Sequence, residues 1–149
     1  MKIFIGADHN GFTLKNELVD MLTRSGFEVV DEGDKQLNQE DDFPQFAAKA
    51  TSDLLASGNP DDRAILLCGS GQGMCIAANR FAGIRAALAW DVQGAFESRD
   101  DDDCNVLCLP ARVLKTDRAN AIVHTWLTTP FSGAARYKRR IQQLDELGK

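Results

Sequence analysis

Apolar residues along this chain come in short runs, and between the runs they recur three and four positions apart. Lys2 to Ala7 (KIFIGA) is the first run and reads as a strand. Leu14, Leu18, Met21 and Leu22 then line one side of an amphipathic helix. Gly26 ends that helix, and Phe27 to Val30 reads as a second strand. After the polar stretch DEGDKQLNQEDD, Phe43, Phe46, Ala47, Ala50 and Leu54 repeat at helical spacing. Ala64 to Cys68 (AILLC) has the unbroken apolar character of a buried strand, and Gly69 to Gly73 is a glycine-rich turn. Met74 to Phe81 reads as a helix, Ile84 to Ala89 as a fourth strand, Val92 to Arg99 as a helix and Asn105 to Leu109 as a fifth strand. Ala119, Ile122, Val123, Trp126 and Leu127 mark another helix, and the tail from Ala134 carries Tyr137, Ile141 and Leu144 as its apolar stripe.

Strands and helices alternating in this way predict an open parallel sheet with helices on both faces. The expected class is α/β, a Rossmann-like three-layer αβα fold with a five-stranded parallel sheet and a C-terminal helix. Ligands in such sheets bind outside the carboxyl ends of the strands, near the point where strand order reverses. Three segments stand out on that rule: Asp8-His9-Asn10-Gly11, Cys68 to Gly73, and the segment flanking four consecutive aspartates, Asp100 to Asp103.

Composition narrows the picture. The 149 residues suit one domain, 1–149, with one substantial core, and no repeat or linker interrupts them. The net charge of −5 disfavours generic binding to nucleic acid or anionic lipid, so an anionic ligand must be held by local donors. The first residues read straight into a strand and no long apolar stretch follows, so neither a signal peptide nor a membrane span is expected. The expected location is the cytoplasm, where Cys68, Cys75, Cys104 and Cys108 stay reduced. With only His9 and His124 to join them, and no finger or ribbon spacing, no metal is expected.

Candidate chemistry follows from the punctuated segments. Gly69-Ser70-Gly71-Gln72-Gly73 can turn several backbone N–H groups toward one anion at the start of a helix, or can be a tight turn with no ligand. It matches neither the dinucleotide fingerprint nor the P-loop. Cys68 ends the strand feeding this loop, where converging amides favour a thiolate base or nucleophile; the alternative is a small buried hydrophobe. Cys75 and Cys108 are read as buried hydrophobes of that kind, and Cys104 stays open. Asp8 and His9 can bind hydroxyls or a phosphate, or can form an Asx-type turn beside an exposed histidine. His124 reads as a core or interface residue. Arg136 and Arg140 share one face of the tail helix and suit a phosphate, or belong to a solvated surface.

Together the fragments IGADHNGF, FPQFA, ILLCGSGQGMCIAANRFAGIRAAL, SRDDDDCNVLCLPARV and FSGAARYKRRI resemble the type B ribose-5-phosphate isomerase family, which includes the galactose-6-phosphate isomerase subunits. The resemblance spans nearly the whole chain. It implies an aldose–ketose isomerase of phosphorylated sugars that needs no metal or organic cofactor and passes through a cis-enediolate. It also implies a homodimer or homotetramer with active sites shared between subunits. By the same resemblance Cys68 is the base, and the amides and hydroxyl of Gly69, Ser70, Gly71, Gln72 and Gly73 hold the enediolate oxygen. Asp8 and His9 bind substrate, and Arg112, Arg136 and Arg140 bind its phosphate.

One segment departs from the pattern. The family usually reads SRxHNDxNVL, with a histidine that opens the sugar ring and an asparagine that holds the enediolate oxygen. Here Asp101 and Asp102 stand in their places, while Asp103 and Asn105 match. An ionised aspartate only accepts hydrogen bonds. Asp101 or Asp102 therefore works protonated, or the substrate is a sugar phosphate such as a tetrose 4-phosphate that has no ring to open, or the chain is a non-catalytic sugar-phosphate-binding subunit. Ribose 5-phosphate/ribulose 5-phosphate is the leading pair.

Overall fold

The computed structural model describes residues 1–148. Five strands form one sheet: β1 (Lys2–Ala7), β2 (Glu28–Asp31), β3 (Arg63–Cys68), β4 (Ala86–Leu88) and β5 (Val106–Pro110). Six helices connect and flank them: α1 (Phe12–Arg24), α2 (Phe43–Ser57), α3 (Gln72–Ala78), α4 (Val92–Asp100), α5 (Thr116–Thr128) and α6 (Ala135–Glu146). The strand order is β2-β1-β3-β5-β4 and every pairing is parallel. Among the described residues no helix is long and apolar enough to cross a membrane.

Because side chains alternate along a strand, each central strand feeds two cores. Ile3, Ile5, Ile65, Leu67, Leu107 and Leu109 pack against Leu14, Leu18 and Leu22 of α1, Ala95 of α4 and Trp126 of α5. Phe4, Ala64, Leu66, Val106 and Cys108 face the other way, onto Phe46, Ala50 and Leu54 of α2 and Met74 and Ala78 of α3. This is the expected three-layer αβα arrangement, and it explains why β1, β3 and β5 read as continuous apolar runs.

The differences from the pattern-based boundaries have tertiary causes. α3 begins at Gln72, two residues earlier than expected, because Gly71 adopts φ +73 and starts the helix turn at once. It stops at Ala78, since Asn79 turns its amide across to β4, donating to the Ala86 carbonyl and accepting from the Ala86 N–H. β4 is only three residues long because Ile84 closes a turn onto Phe81 and the Arg85 N–H goes to the Asn105 side chain.

A buried lysine fixes the edge beside β2. Lys15 on α1 is fully buried, and its Nζ donates to both carboxylate oxygens of Asp31, at 2.9 and 2.8 Å, and to the Asp34 carbonyl at 3.2 Å.

Only α6 stands apart. None of its residues is buried, and its N-terminal approach is tied to the rest by Ser132 N–H donating to the Asp100 carbonyl. Leu144 on α6 is exposed, as are Trp90, Val92 and Phe96 at the start of α4.

Candidate active site

Strand order reverses between β1 and β3, and this is where a crevice opens at the carboxyl end of such a sheet. The chain leaves β1 through Asp8-His9-Asn10-Gly11 and leaves β3 through Cys68 to Gly73, so both expected loops meet there. They are stitched together by Asp8 N–H donating to the Leu67 carbonyl. The end of β5 joins them: Cys68 lies level with Pro110, Ala111 N–H donates to the Cys68 carbonyl at 2.9 Å, and Arg112 N–H donates to the Gly69 carbonyl at 3.0 Å.

The glycines of the loop lie in close packing, and at Gly71 the neighbours include backbone. A Cβ on Gly69 would lie 2.6 Å from the Arg112 guanidinium carbon, so the arginine lies directly over that backbone. Gly71 combines its left-handed φ with a Cβ position 3.1 Å from the Leu109 backbone carbon. Gly73 sits against the Phe43 ring, 2.7 Å from where its Cβ would be. Ser70 and Gln72 are exposed, and the Ser70 hydroxyl accepts from Gln72 N–H at 3.3 Å. Cys68 is buried at the base of the loop.

Asp8 adopts the Asx turn: its Oδ1 accepts from Asn10 N–H at 3.0 Å and Gly11 N–H at 3.3 Å. Its side chain therefore shapes the loop. His9 is half-buried and gripped by a residue the sequence did not single out, Asp41. The Asp41 Oδ1 pairs with His9 Nδ1 at 2.7 Å and accepts from His9 N–H at 3.0 Å. That hydrogen bond, together with the negative charges of Asp8 and Asp41, holds the imidazole above the ordinary histidine pKa, against partial burial and the nearby Arg112. Asp8, His9 and Asp41 are the only group of three metal-capable side chains within 4.8 Å of one another among the described residues. One oxygen of each carboxylate and the His9 Nδ1 are engaged within this group and with backbone N–H groups.

The aspartate segment lies elsewhere, which corrects the expectation that it borders the carboxyl-end crevice. α4 runs from the carboxyl end of the sheet to the amino end, so Asp100 to Asp103 precede β5 rather than follow a strand. β5 alone separates their end from Cys68 by roughly 13 Å, at about 3.3 Å per residue. Asp103 is a structural hinge. It takes φ +47 and pairs with Arg99 Nη1 at 2.8 Å and Arg85 Nη2 at 3.3 Å. Asn105 is structural too, accepting from Arg85 N–H and donating to the Gly83 carbonyl. Asp101 is half-buried and Asp102 exposed. The Asp102 carboxyl is pushed up by partial desolvation and then by the Asp101 charge, while Arg140 and Arg85 pull it down.

Arg140 thus belongs with the aspartates. On α6 the exposed Arg136 and Arg140 guanidinium groups flank the Tyr137 ring at 4.6 and 5.6 Å from its centroid. The expected site residues fall into two sets within one chain: Asp8, His9, Cys68, Gly69 to Gly73 and Arg112 at one end, and Asp101, Asp102, Arg136 and Arg140 at the other.

The remaining cysteines and the second histidine have their own surroundings. Cys108 is fully buried, as expected, and Cys104 is buried as well, its thiol pushed up to about 12 chiefly by that burial. Cys75 is half-buried rather than buried, and its S–H donates to the Ala86 carbonyl; its proximity to Cys108 is the main influence lowering it to about 7. His124 is not a core residue, because it lies on the exposed side of α5.

Comparison with known proteins agrees with this architecture. Residues 3–144 match the family model described as Ribose/Galactose Isomerase. The chain is 38% identical over 146 residues to ribose-5-phosphate isomerase B of Mycobacterium tuberculosis, covering 98% of this chain and 89% of that one. It is 39% identical over 143 residues to the Escherichia coli K12 protein of the same name, covering 96% and 93%. A crystal structure of a ribose 5-phosphate isomerase from Thermotoga maritima superposes with a TM-score of 0.92 at 41% identity, covering 98% of both chains. The Mycoplasma genitalium ribose-5-phosphate isomerase B, solved with bound ribulose-5-phosphate, superposes with a TM-score of 0.92 at 37% identity, covering 97% of this chain and 93% of that one. On these matches, and on the fold and crevice that accompany them, the chain belongs to the ribose/galactose isomerase family.

Proposed function

We propose that this protein interconverts an aldose phosphate and its ketose, with D-ribose 5-phosphate and D-ribulose 5-phosphate as the substrate pair. The reaction takes place in the cytoplasm, in sites completed by two copies of the chain. The observation that carries the reading is the meeting, at the β1/β3 reversal, of the Cys68 strand end, the Gly69–Gly73 loop, the His9 imidazole and the Arg112 guanidinium. The Cys68 sulfur takes the proton from C2 of the open aldose. Electrons move to the carbonyl oxygen and the cis-enediolate forms; the O2 hydroxyl proton passes to O1, and returning the first proton to C1 gives the ketose. Amides of Gly69 to Gly73 hold the oxygen that gains charge, each good donor lowering the barrier by about 3–4 kcal/mol. His9 and Arg112 meet the phosphate with Arg136 and Arg140.

What supports sharing is the division of the candidate residues between the two ends of one sheet. A single chain cannot bring Arg136 and Arg140 to Cys68 past the length of β5, whereas a second copy can. α6 without a buried face, and the exposed Trp90, Val92 and Phe96, offer the apolar surface such an assembly needs.

The test is Cys68→Ala in deuterated solvent. Wild type should place deuterium at C1 of the ketose or C2 of the aldose, and the variant should lose turnover while retaining phosphate binding. Unchanged turnover in the variant removes Cys68 from the mechanism. Asp101 and Asp102 favour a second reading, in which the substrate is a tetrose 4-phosphate. Its O4 is esterified, so no furanose forms and no ring-opening donor is needed. Turnover of tetrose but not pentose phosphates, with pentose turnover gained in the Asp101→His/Asp102→Asn double variant, selects this reading. Absence of turnover with every four-, five- and six-carbon phosphate tried indicates a binding subunit.

A further inference from the structure

The Asp41 carboxylate is buried, and its only charged partner among the described residues is His9. No lysine or arginine of those residues pairs with it. A carboxylate withdrawn from water needs a cation or strong donors, and here the imidazole and the His9 N–H supply both. Two contacts to one oxygen fix the ring as well as the residue carrying it. The charged groups facing the imidazole are Asp41 from the segment before α2, Asp8 from its own loop and Arg112 from the end of β5.

We propose that Asp41 is a positioning residue for phosphate recognition: it holds the His9 imidazole by Nδ1, so that Nε2 becomes a donor to a phosphate oxygen beside Arg112. The proposal rests on the crevice being the sugar-phosphate site argued above. With Nδ1–H given to Asp41, a neutral His9 can only accept at Nε2, and the Asn10 amide lies there at 3.2 Å. Once protonated, Nε2–H needs an acceptor, which a phosphate oxygen supplies. Asp41 therefore favours the one form of His9 that can bind the anion. The raised pKa of His9, whose largest cause is this same hydrogen bond, agrees with the geometry.

The pH dependence follows. A phosphate monoester is fully dianionic only above about pH 6. His9 is a donor only below its own raised pKa. Affinity should peak between the two and fall on the alkaline side as His9 loses its proton.

The experiment uses Asp41→Asn, which keeps the shape and both acceptor contacts but removes the charge. The chain has only two histidines, so His9 can be followed in an imidazole NMR titration. In wild type, His9 should titrate above the ordinary histidine value and move higher still in saturating inorganic phosphate. In the variant, His9 should titrate lower, and phosphate should bind about tenfold more weakly, the scale of one charged hydrogen bond. KM should rise by a similar factor with kcat within about twofold, and the alkaline limb of the KM profile should move to lower pH.

A folded variant with an unchanged His9 titration and unchanged phosphate affinity overturns the proposal. So does a wild-type His9 indifferent to phosphate, which also covers a variant that fails to fold. If wild type turns over no sugar phosphate yet the NMR shifts appear, the isomerase function fails and the role of Asp41 stands. If wild type is active and Asp41→Asn shows an identical profile, the isomerase function stands and the role of Asp41 fails.

Discussion

Mixing two inactive variants should restore activity, and the amount restored follows from how the site residues are divided. Cys68→Ala removes the proposed proton acceptor at the carboxyl end of the sheet. Arg136→Ala/Arg140→Ala removes the proposed phosphate donors at the other end. Each loss of a charged hydrogen bond is worth about 1.5–3 kcal/mol, so the arginine pair costs roughly two to four orders of magnitude in kcat/KM. In a co-refolded equal mixture, random pairing makes half of the dimers mixed. Each mixed dimer holds one site carrying both lesions and one carrying neither. The mixture should therefore recover about a quarter of wild-type activity, and a tetramer built from two such dimers gives the same fraction. A size tag on one variant lets native mass spectrometry count the mixed species, and a coupled ketose assay reads turnover. If mixed dimers form in the expected proportion and activity stays at the level of the separate variants, each site is built from one chain and the reasoning from the two sheet ends is refuted.

Two further outcomes concern the scaffold. Lys15→Met leaves Asp31 with the Gly33 N–H at 2.9 Å and the exposed Lys35 at 3.2 Å, a partial substitute for the buried ammonium. The loss should thus fall at the lower end of the range for a broken buried pair, about 3 kcal/mol, or ~1.5 M in urea midpoint at an m of ~2 kcal/mol/M. Burial works to raise the Asp31 pKa, but hydrogen bonds from Lys15 and Gly33 bring it below the ordinary value. Its contribution is therefore present above about pH 4 and lost as pH falls through the folded-state value. Lys15→Met should flatten that acid limb, and an unchanged urea midpoint at equal protein concentration would count against the pair. Gly71→Ala puts a side chain at φ +73 against the backbone of Leu109 and Pro110. It should cost about 2–4 kcal/mol in thermal unfolding from strain and overpacking. Its kcat should fall further than that destabilisation explains, because the displaced amides are those proposed to hold the developing oxyanion.

Much of the architecture was legible because each layer leaves its own period in the chain. β1, β3 and β5 are buried on both faces and could only be written in unbroken apolar residues, while α2 shows Phe46, Ala47, Ala50 and Leu54 toward the sheet. The ends of α3 and β4 were not legible, since they depend on the Asn79 amide bridging to Ala86 across seven residues. Asp41 was invisible for a similar reason. It sits in a polar stretch among other acids, 32 residues from His9, and no local pattern separates it from Asp42. The aspartate segment is different, because its place could have been deduced. In a parallel sheet, whatever immediately precedes a strand lies at the amino end, so Asp100 to Asp103 could not share the Cys68 crevice within one chain. Cys75 departed from expectation because its partners, Cys108 and the Ala86 carbonyl, come from strands that the local sequence does not reveal.

The unburied α6 has a consequence for how the protein behaves when it is scarce. A helix of 12 residues receives little stability from its own hydrogen bonds, and here no fully buried apolar side chain adds to it. In the proposed assembly, the partner that completes the active site also stabilises the helix carrying Arg136 and Arg140. Specific activity should then fall on dilution, steeply near the dissociation constant of the assembly, and substrate should oppose the fall by binding across both chains. A newly made, solitary chain would be folded in its sheet and silent in its chemistry until it met a second copy.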